Sequence, residues 1–380
     1  MHHKFSVQGV VPSASKSVLA LLAGALAANL ALAQNQPLKA EEAFKNIQVL
    51  KGISAADFMG AMGIMTTALG FDCESCHPAA GSDRVRWEVD TPRKLMARRM
   101  VTMMANINQT NFGGRQVVTC YTCHRGRDRP AVTEPIDTVY AAADLAPDDI
   151  FRQFPGAPLA DTILEKYIEA LGGAQRVNAV TSISAIGKSM FYGAFGGEGE
   201  VQFYAKAPDQ RATIISYKDA PDRGESSRLY NGREGWIRTP LSVLGQYALS
   251  GSELSGARLD AQLTFPGQIK KVLTSLRVGE PVTVNDKDVQ VIQGNGPDGV
   301  VASLYFDDKT GLLVRMIRYG ASPIGRISTQ VDYDDYRDVS GVKMPFKYTS
   351  SWLDGRDSFE LSNVRINVPI DAAKFERQGR

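Results

Sequence analysis

The chain has 380 residues, of which 43% are hydrophobic and 22% charged, which excludes a single small domain, a disordered chain and a protein with many membrane spans. Lysine and arginine total 43 against 41 aspartate and glutamate residues. This near-neutral balance gives no support for nucleic acid or another polyanion as a partner. The whole chain has only four cysteines and four histidines, and their positions decide most of the functional interpretation.

Residues 1–33 predict a secretory signal peptide. Two lysines precede an apolar run that begins at Ser17 and ends in Ala31-Leu32-Ala33, which is the order of regions in such signals. An uncleaved membrane anchor is the alternative, but the run is interrupted by Asn29 and is shorter than the ~20 apolar residues of a transmembrane helix. We therefore expect an exported, periplasmic protein that has no transmembrane span after cleavage and retains two histidines.

Each of these two histidines follows a pair of cysteines. The segments are Cys73-Glu74-Ser75-Cys76-His77 and Cys120-Tyr121-Thr122-Cys123-His124. This pentapeptide is the attachment site of c-type haem, in which two thiols bond to the macrocycle and the adjacent imidazole binds the iron. Two intervening residues let both sulfurs reach the edge of the macrocycle from one turn of backbone. We therefore predict two covalently bound c-type haems.

Three other uses of these cysteines are less well supported. A structural zinc site is disfavoured because 43 residues separate Cys76 from Cys120, more than the usual 15 to 20, and because both following histidines would be coincidences. Disulfides and a thioredoxin-like redox site fit an oxidising compartment, but no βαβ pattern surrounds either motif.

A six-coordinate haem iron needs a second axial ligand, and methionine is the next candidate after histidine. Residues 55–69 have helical composition and end at Leu69-Gly70, and Thr91-Pro92 opens a second predicted helix that runs to about Asn108. Methionines at helical spacing are more often core residues than ligands. Seven of the eleven methionines nevertheless lie close to the two motifs: Met59, Met62, Met65, Met96, Met100, Met103 and Met104.

These segments together resemble the photosynthetic reaction-centre cytochrome c subunit family. The segments that carry the resemblance are Met62–His77, Trp87–Arg93, Met103–Asn108 and Val118–Gly126. The family binds each methionine-ligated haem with a helix, a turn and then Cys-x-x-Cys-His. The resemblance implies Met62 as the axial ligand of the first iron and Met103 as that of the second, with Met59 and Met100 in reserve.

The chain also departs from this family. The family's subunit carries four haems and this chain has two motifs, so a relay to a photosynthetic special pair is not implied. The lipid anchor that is common in the family is not visible either. Arg125, Arg127 and Arg129 follow the second motif directly, where they would pair with haem propionates, form a cationic docking patch or form a solvated basic loop.

The sequence after residue 130 indicates a linker followed by a large sheet. Residues 131–158 are rich in proline and acidic residues and predict a linker. A helix is predicted over 161–171, and then roughly ten short strands with turns, interrupted by a helical stretch near 240–275. The pattern resembles the LolA-like, lipoprotein-carrier half-barrel. No cysteine or histidine follows His124, so this part lacks the usual nucleophile and base pairs.

The sequence thus predicts an α+β protein with a mostly helical dihaem cytochrome c domain at 34–130 and an antiparallel β half-barrel at 159–380. Its expected function is single-electron transfer between redox partner proteins, without enzymatic activity. His77 and Met62 would bind one iron, and His124 and Met103 the other. Two alternatives stay open: a periplasmic carrier or scaffold with an apolar ligand or lipid in the half-barrel, and a peroxidase in which one iron lacks its methionine.

Overall fold

The computed structural model describes residues 37–82, 84–130, 132, 151–192, 197–217, 224–239 and 244–377. The predicted signal peptide and most of the predicted linker lie outside the described residues. Leu38–Arg380 forms one compact unit. The boundaries at 130 and 159 remain predictions. No helix among the described residues is both long enough and apolar enough to cross a membrane.

Four helices form the part of the chain that carries the cysteines. They are α1 (Ala40–Ala43), α2 (Ala55–Leu69), α3 (Pro92–Phe112) and α4 (Cys120–His124). Helix α2 has the predicted bounds, because the Ser54 side chain accepts a hydrogen bond from the Asp57 amide and Gly70 closes it with φ 66°. Helix α3 runs one turn beyond the predicted end, to the left-handed Gly113.

Four more helices accompany the sheet. They are α5 (Ala160–Leu171), α6 (Ala174–Asn178), α7 (Gly251–Leu263) and α8 (Ile269–Val272). The predicted helix at 161–171 corresponds to α5, and the predicted helical interruption contains α7 and α8. Helix α5 buries Ile163, Leu164, Tyr167 and Leu171, which recur on one face of a helix.

The described strands form one antiparallel sheet, so the predicted fold class is confirmed. The sheet order is β6-β5-β4-β3-β2-β1-β14-β13-β12-β11-β10-β9-β7, with β8 paired to β9. The strands are β1 (Ser182–Tyr192), β2 (Gly197–Lys206), β3 (Gln210–Ser216), β4 (Glu225–Tyr230), β5 (Gly235–Arg238), β6 (Gln246–Ala248), β7 (Thr274–Val278), β8 (Val282–Val284), β9 (Lys287–Asn295), β10 (Val301–Asp307), β11 (Leu313–Ser322), β12 (Gly325–Val339), β13 (Val342–Trp352) and β14 (Gly355–Ile366).

The sheet curves around helix α7. This helix contacts β3, β4 and β11, and β11 lies six places from β3 in the sheet order, so only a curved sheet brings all three strands to one helix. The main apolar core lies between this concave face and the helices, and includes Leu164, Leu259, Phe306 and Met316. Burial of these large side chains is the dominant favourable contribution to folding.

Helix α2 packs directly on the sheet. A Cβ atom on Gly60 would lie 2.5 Å from Cδ1 of Ile327, and one on Gly63 would lie 3.3 Å from Cβ of Leu353. The hydroxyl of Thr67 donates a hydrogen bond of 2.5 Å to the carbonyl oxygen of Leu353. The two glycines therefore let the helix approach β12 and the turn between β13 and β14 closely.

Candidate functional site

The first motif is folded as a tight turn directly after α2. The amide of His77 donates to the carbonyl oxygen of Cys73 at 2.8 Å. The Asp72 carboxylate accepts hydrogen bonds from the amide of Ser75 at 2.8 Å and from its hydroxyl at 2.7 Å. These bonds hold Cys73, Cys76 and His77 on one turn of backbone, as covalent haem attachment requires.

The beginning of α3 supports the same turn. The Thr91 hydroxyl donates to the carbonyl oxygen of Cys76 at 3.1 Å, and the Arg93 guanidinium donates to that of Ser75 at 2.9 Å. Thr91 is also the N-cap of α3, because its side chain accepts from the Lys94 amide. The sequence Thr91-Pro92 predicts the capping role of Thr91. It does not predict that Thr91 contacts the first motif.

The first motif and α2 line one cavity of about 830 Å³. Cys73, Cys76 and His77 line it, as does Met62, so the structure brings together all four residues predicted for the first iron. Met59 and Met65 of α2 line the same cavity. Met65 also packs against the apolar cluster formed by Ile64, Ile324, Ile327 and their neighbours, which is the ordinary use of a methionine.

The imidazole of His77 is suited to bind a metal. Burial, together with the positive charge of Lys94, lowers the pKa of His77, so the ring is neutral at pH 7 and has a lone pair available. Its ring lies 5.0 Å from that of Trp87. The Nδ1 atom of His77 is buried and has no hydrogen-bond partner in the part of the chain that the structure describes.

The turn between β13 and β14 also reaches the first site. Leu353 and Asp354 line the same cavity as His77. Burial raises the pKa of Cys73, and the carboxylate of Asp354 raises it further. The sequence analysis missed both residues. They lie more than 270 positions from the motif, and no local pattern marks them.

The second motif forms α4, and the end of α3 supports it. The buried Asn108 side chain donates to the carbonyl oxygen of Val118 at 2.7 Å and accepts from the amides of Val117 and Val118. Asn108 thereby fixes the segment that leads into Cys120. Asn108 ends the segment Met103–Asn108, which carries part of the family resemblance, but the sequence alone assigned it no structural role.

His124 has the hydrogen bond expected of a metal-binding histidine. Its Nδ1 atom lies 3.0 Å from the carbonyl oxygen of Arg127. A carbonyl oxygen only accepts, so Nδ1 is the donor in this contact, and Nε2 is the ring nitrogen left to face a metal. A second hydrogen bond of this kind is the usual way in which a protein orients a ligand imidazole.

Met103 does not line the cavity that contains the first motif. It lies on α3 with 45% of its surface exposed, whereas Met104 is 6% exposed and packs in the apolar cluster of Ile324 and Ile327. Met100 is half-buried. Met103 is therefore accessible for binding a group that covers this face, and Met104 serves the core. The assignment of Met103 remains a prediction.

Arginines lie at a second cavity beside the end of α2. Its volume is about 550 Å³, and its lining includes Arg127 and Arg129. The cavity lies between Leu69-Gly70-Phe71 and the loop that follows His124. This position is compatible with the propionate or docking roles that were predicted for the arginines.

Gly70 connects the two motifs. It ends α2 with φ 66°, and a Cβ atom there would lie 2.4 Å from the carbonyl oxygen of Gly126. The Gly126 amide donates to the carbonyl oxygen of Ala68 at 2.9 Å. The end of α2 is thus fixed to the loop that follows the second motif.

Replacing Gly70 by alanine should lower the free energy of unfolding by about 2–4 kcal/mol, from left-handed strain and a steric clash together. Gly113→Ala is the matched control, because Gly113 ends α3 with φ 61° and has nothing within 4 Å of its Cβ position. It should cost only about 1 kcal/mol. Equal losses in urea unfolding of the two variants would contradict the proposed contact.

The described residues therefore fit two c-type haems. Each motif presents two thiols and one imidazole from a single turn, and no thiol among the described residues forms a disulfide. His77 lines a cavity shared with Met62, and the Nδ1 atom of His124 contacts a backbone carbonyl oxygen. No group of three or more histidine, cysteine or acidic side chains suitable for a bare metal ion occurs among the described residues.

The region that contains both motifs matches a family of known proteins. Residues 15–141 match the family of the photosynthetic reaction centre cytochrome C subunit. The subunit of Rubrivivax gelatinosus is 33% identical over 103 residues, which cover 26% of this chain and 27% of the relative. That of Thermochromatium tepidum is 35% identical over 105 residues, covering 26% and 25%. The chain thus spans about a quarter of the length of the curated relatives it matches.

The chain is also similar to solved structures over part of its length. A LolA superfamily protein from Nitrosomonas europaea is 15% identical and has a TM-score of 0.40, with 58% of this chain and 99% of that chain covered. A DUF1329 family protein from Desulfovibrio piger is 12% identical and has a TM-score of 0.39, with 58% and 98% covered. Residues 15–141 carry a domain of the photosynthetic reaction centre cytochrome c subunit family.

Proposed function

We propose that this protein is an exported dihaem c-type cytochrome that transfers single electrons between redox partner proteins in the periplasm. One observation carries the proposal. The chain has two Cys-x-x-Cys-His turns within a cytochrome-family domain, and these turns use every cysteine and both histidines that follow the predicted signal peptide.

The residues divide between attachment and ligation. Cys73 and Cys76 would form the thioether bonds of the first haem, and Cys120 and Cys123 those of the second. The axial ligands would be His77 with Met62 and His124 with Met103. When bound, such a haem supplies an iron that gains and loses one electron.

The surrounding chain keeps these ligands in place. Asp72, Thr91 and Arg93 bond to the backbone and side chains of the first turn, and Asn108 fixes the approach to the second. Such supporting bonds limit the movement of the ligands when the charge at a site changes. Four protein-derived axial ligands for two irons favour electron transfer over peroxidase chemistry, which needs an open coordination position.

Reductive titration of the oxidised holoprotein tests this function. The visible spectrum should show the uptake of two electrons per chain, and hydrogen peroxide should be consumed no faster than in buffer. The Cys120→Ala/Cys123→Ala variant should take up one electron and keep the spectrum of the first site. Uptake of fewer than two electrons by the wild-type chain, or rapid peroxide consumption, would refute the proposal.

A second candidate function is that of a periplasmic carrier. The observation in its favour is that the cavity at the first motif continues over the concave face of the sheet, where Ile215, Leu229, Val331 and Phe359 line it. If carriage of an apolar ligand or lipid were the main function, lipid should co-purify with the full-length protein in a constant molar ratio. Lipid-free protein of normal haem content would exclude this function.

A further inference from the structure

The concave face of the sheet presents two pairs of parallel aromatic rings. The rings of Phe191 and Trp352 lie 5.9 Å apart at 15°, and those of Tyr348 and Phe359 lie 4.5 Å apart at 19°. All four residues line the cavity of about 830 Å³ that also contains the first motif. Aromatic side chains at a cavity wall favour an aromatic ligand, because aromatic ring pairs contribute beyond the burial of area.

Polar atoms without partners lie beside these rings. The Tyr348 hydroxyl, the Asp357 Oδ1 atom and the Ser189 hydroxyl are buried and make no hydrogen bond within the described ranges. In the sheet register, Phe359 is opposite both Tyr348 and Ser189, and Asp357 lies two residues from it on the same face. A buried polar group without a partner costs about 1–3 kcal/mol, so the two that also line the cavity, on Tyr348 and Asp357, call for an explanation.

Asp357 can serve as either a hydrogen-bond donor or an acceptor near neutral pH. Burial raises its pKa to about 7, so both protonation states are populated. The Tyr348 hydroxyl also donates and accepts. The two side chains can therefore bond to a ligand oxygen, whether it is a hydroxyl or a carbonyl group.

The charged side chains that line this cavity nearly balance, with seven lysines and arginines against six aspartates and glutamates, which argues against an anionic ligand. Arg318 contacts Asp260 at 3.0 Å and Glu253 at 3.6 Å. Arg228 contacts Glu253 at 3.2 Å, and Arg211 donates to the carbonyl oxygen of Asp260 at 3.3 Å. The Nη1 and Nη2 atoms of Arg318 make no hydrogen bond within the described part of the chain, so they can donate to an oxygen of a neutral ligand.

We propose that the concave face binds an uncharged, planar aromatic molecule with hydroxyl or carbonyl oxygens, of the hydroquinone and quinone class. Its ring lies against the Tyr348 and Phe359 pair, and its oxygens bond to Tyr348 and Asp357. This binding site goes beyond the proposed electron transfer, and it rests on the cavity wall alone.

Calorimetric titration of the oxidised full-length holoprotein with 2,3-dimethoxy-5-methyl-1,4-benzoquinone tests the proposal. Protein and probe are both oxidised, so no electron transfer accompanies binding. We expect saturable binding with one molecule per chain. Tyr348→Phe keeps the ring pair and removes one hydroxyl, and should raise Kd about five- to tenfold, as the loss of one hydrogen bond predicts. Asp357→Leu should raise Kd by at least as much.

Tyr336→Phe is the matched control. Its hydroxyl donates to the carbonyl oxygen of Leu313 at 2.8 Å, and Kd should stay unchanged. Haem content and the circular dichroism spectrum of each variant show whether it is folded and loaded. The site is disproved if the loaded wild-type protein does not bind the quinone, or if Tyr348→Phe binds it as tightly as wild type. Palmitate serves as the probe for an aliphatic ligand. The proposed aromatic site is equally disproved if palmitate binds to the protein and the quinone does not displace the palmitate. A wild-type protein that carries no haem would instead count against the proposed electron transfer and not against this site.

Discussion

Replacement of Met62 by alanine should abolish the sulfur-to-iron charge-transfer band of the first site and leave that of the second. In the oxidised state, the charge-transfer band of the wild-type protein should be about twice as intense as that of the variant, because the variant has lost one of two sulfur ligands. Met62 lines the same cavity as Cys73, Cys76 and His77. The reduction potential of the first site should fall as well, since methionine ligation raises it.

The neighbouring methionines supply the controls. Met65→Ala should keep both bands, because Met65 packs with the apolar cluster beneath α2, and Met59→Ala should keep them too. If Met62→Ala retains both bands and Met59→Ala loses one, the reserve assignment is correct and Met62 is the wrong ligand. The same comparison applies to Met103 and Met100 at the second site.

Replacement of Arg318 by leucine should have the largest effect on stability, a loss of about 3–5 kcal/mol. The Arg318 side chain has no exposed surface, and its partners Glu253 and Asp260 have side chains that are 14% and 12% exposed. Burial alone would raise the pKa of both carboxyls, but the guanidinium of Arg318 outweighs it and holds both pKa values below the ordinary range. The variant would leave these two negative charges buried without their main counter-ion.

Urea unfolding of the holoprotein measures this loss. Arg337→Leu is the control, because Arg337 is an exposed residue that pairs with the exposed Asp335 and lies over the ring of Phe346, and it should lower the unfolding midpoint far less. The two variants lose the same charge at different depths. Similar midpoints for both would show that the buried cluster does not fasten α7 to β11 in the way the contacts imply.

The helices of the cytochrome region could be predicted because their end signals are local. Ser54 and Gly70 bracket α2 as a capping residue and a left-handed closing residue. Thr91-Pro92 begins α3 for the same reason. The cysteine and histidine candidates were equally accessible, because five consecutive residues carry the whole attachment motif.

The number of strands was less predictable. The sequence favoured roughly ten, and the described residues contain fourteen. Strands β6 and β8 have three residues each, too few for an alternation of polar and apolar side chains to show. Their pairing depends on neighbouring strands and not on local preference.

The cavity and its far wall were not predictable. Gly63 contacts Leu353, and Tyr348 lies beside Phe359 on neighbouring strands. The first contact joins residues that are distant in sequence, and the second depends on the register of β13 and β14. The role of Asn108 was hidden for a different reason, since a buried asparagine at a helix end resembles an ordinary polar residue until its three hydrogen bonds are seen.

The intact mass of the protein, produced in a host that attaches c-type haem, tests the central claim most directly. The mass should equal the polypeptide plus two haems, and changing both cysteines of either motif to alanine should remove one of them. A colourless wild-type protein with the mass of the bare polypeptide would contradict the account.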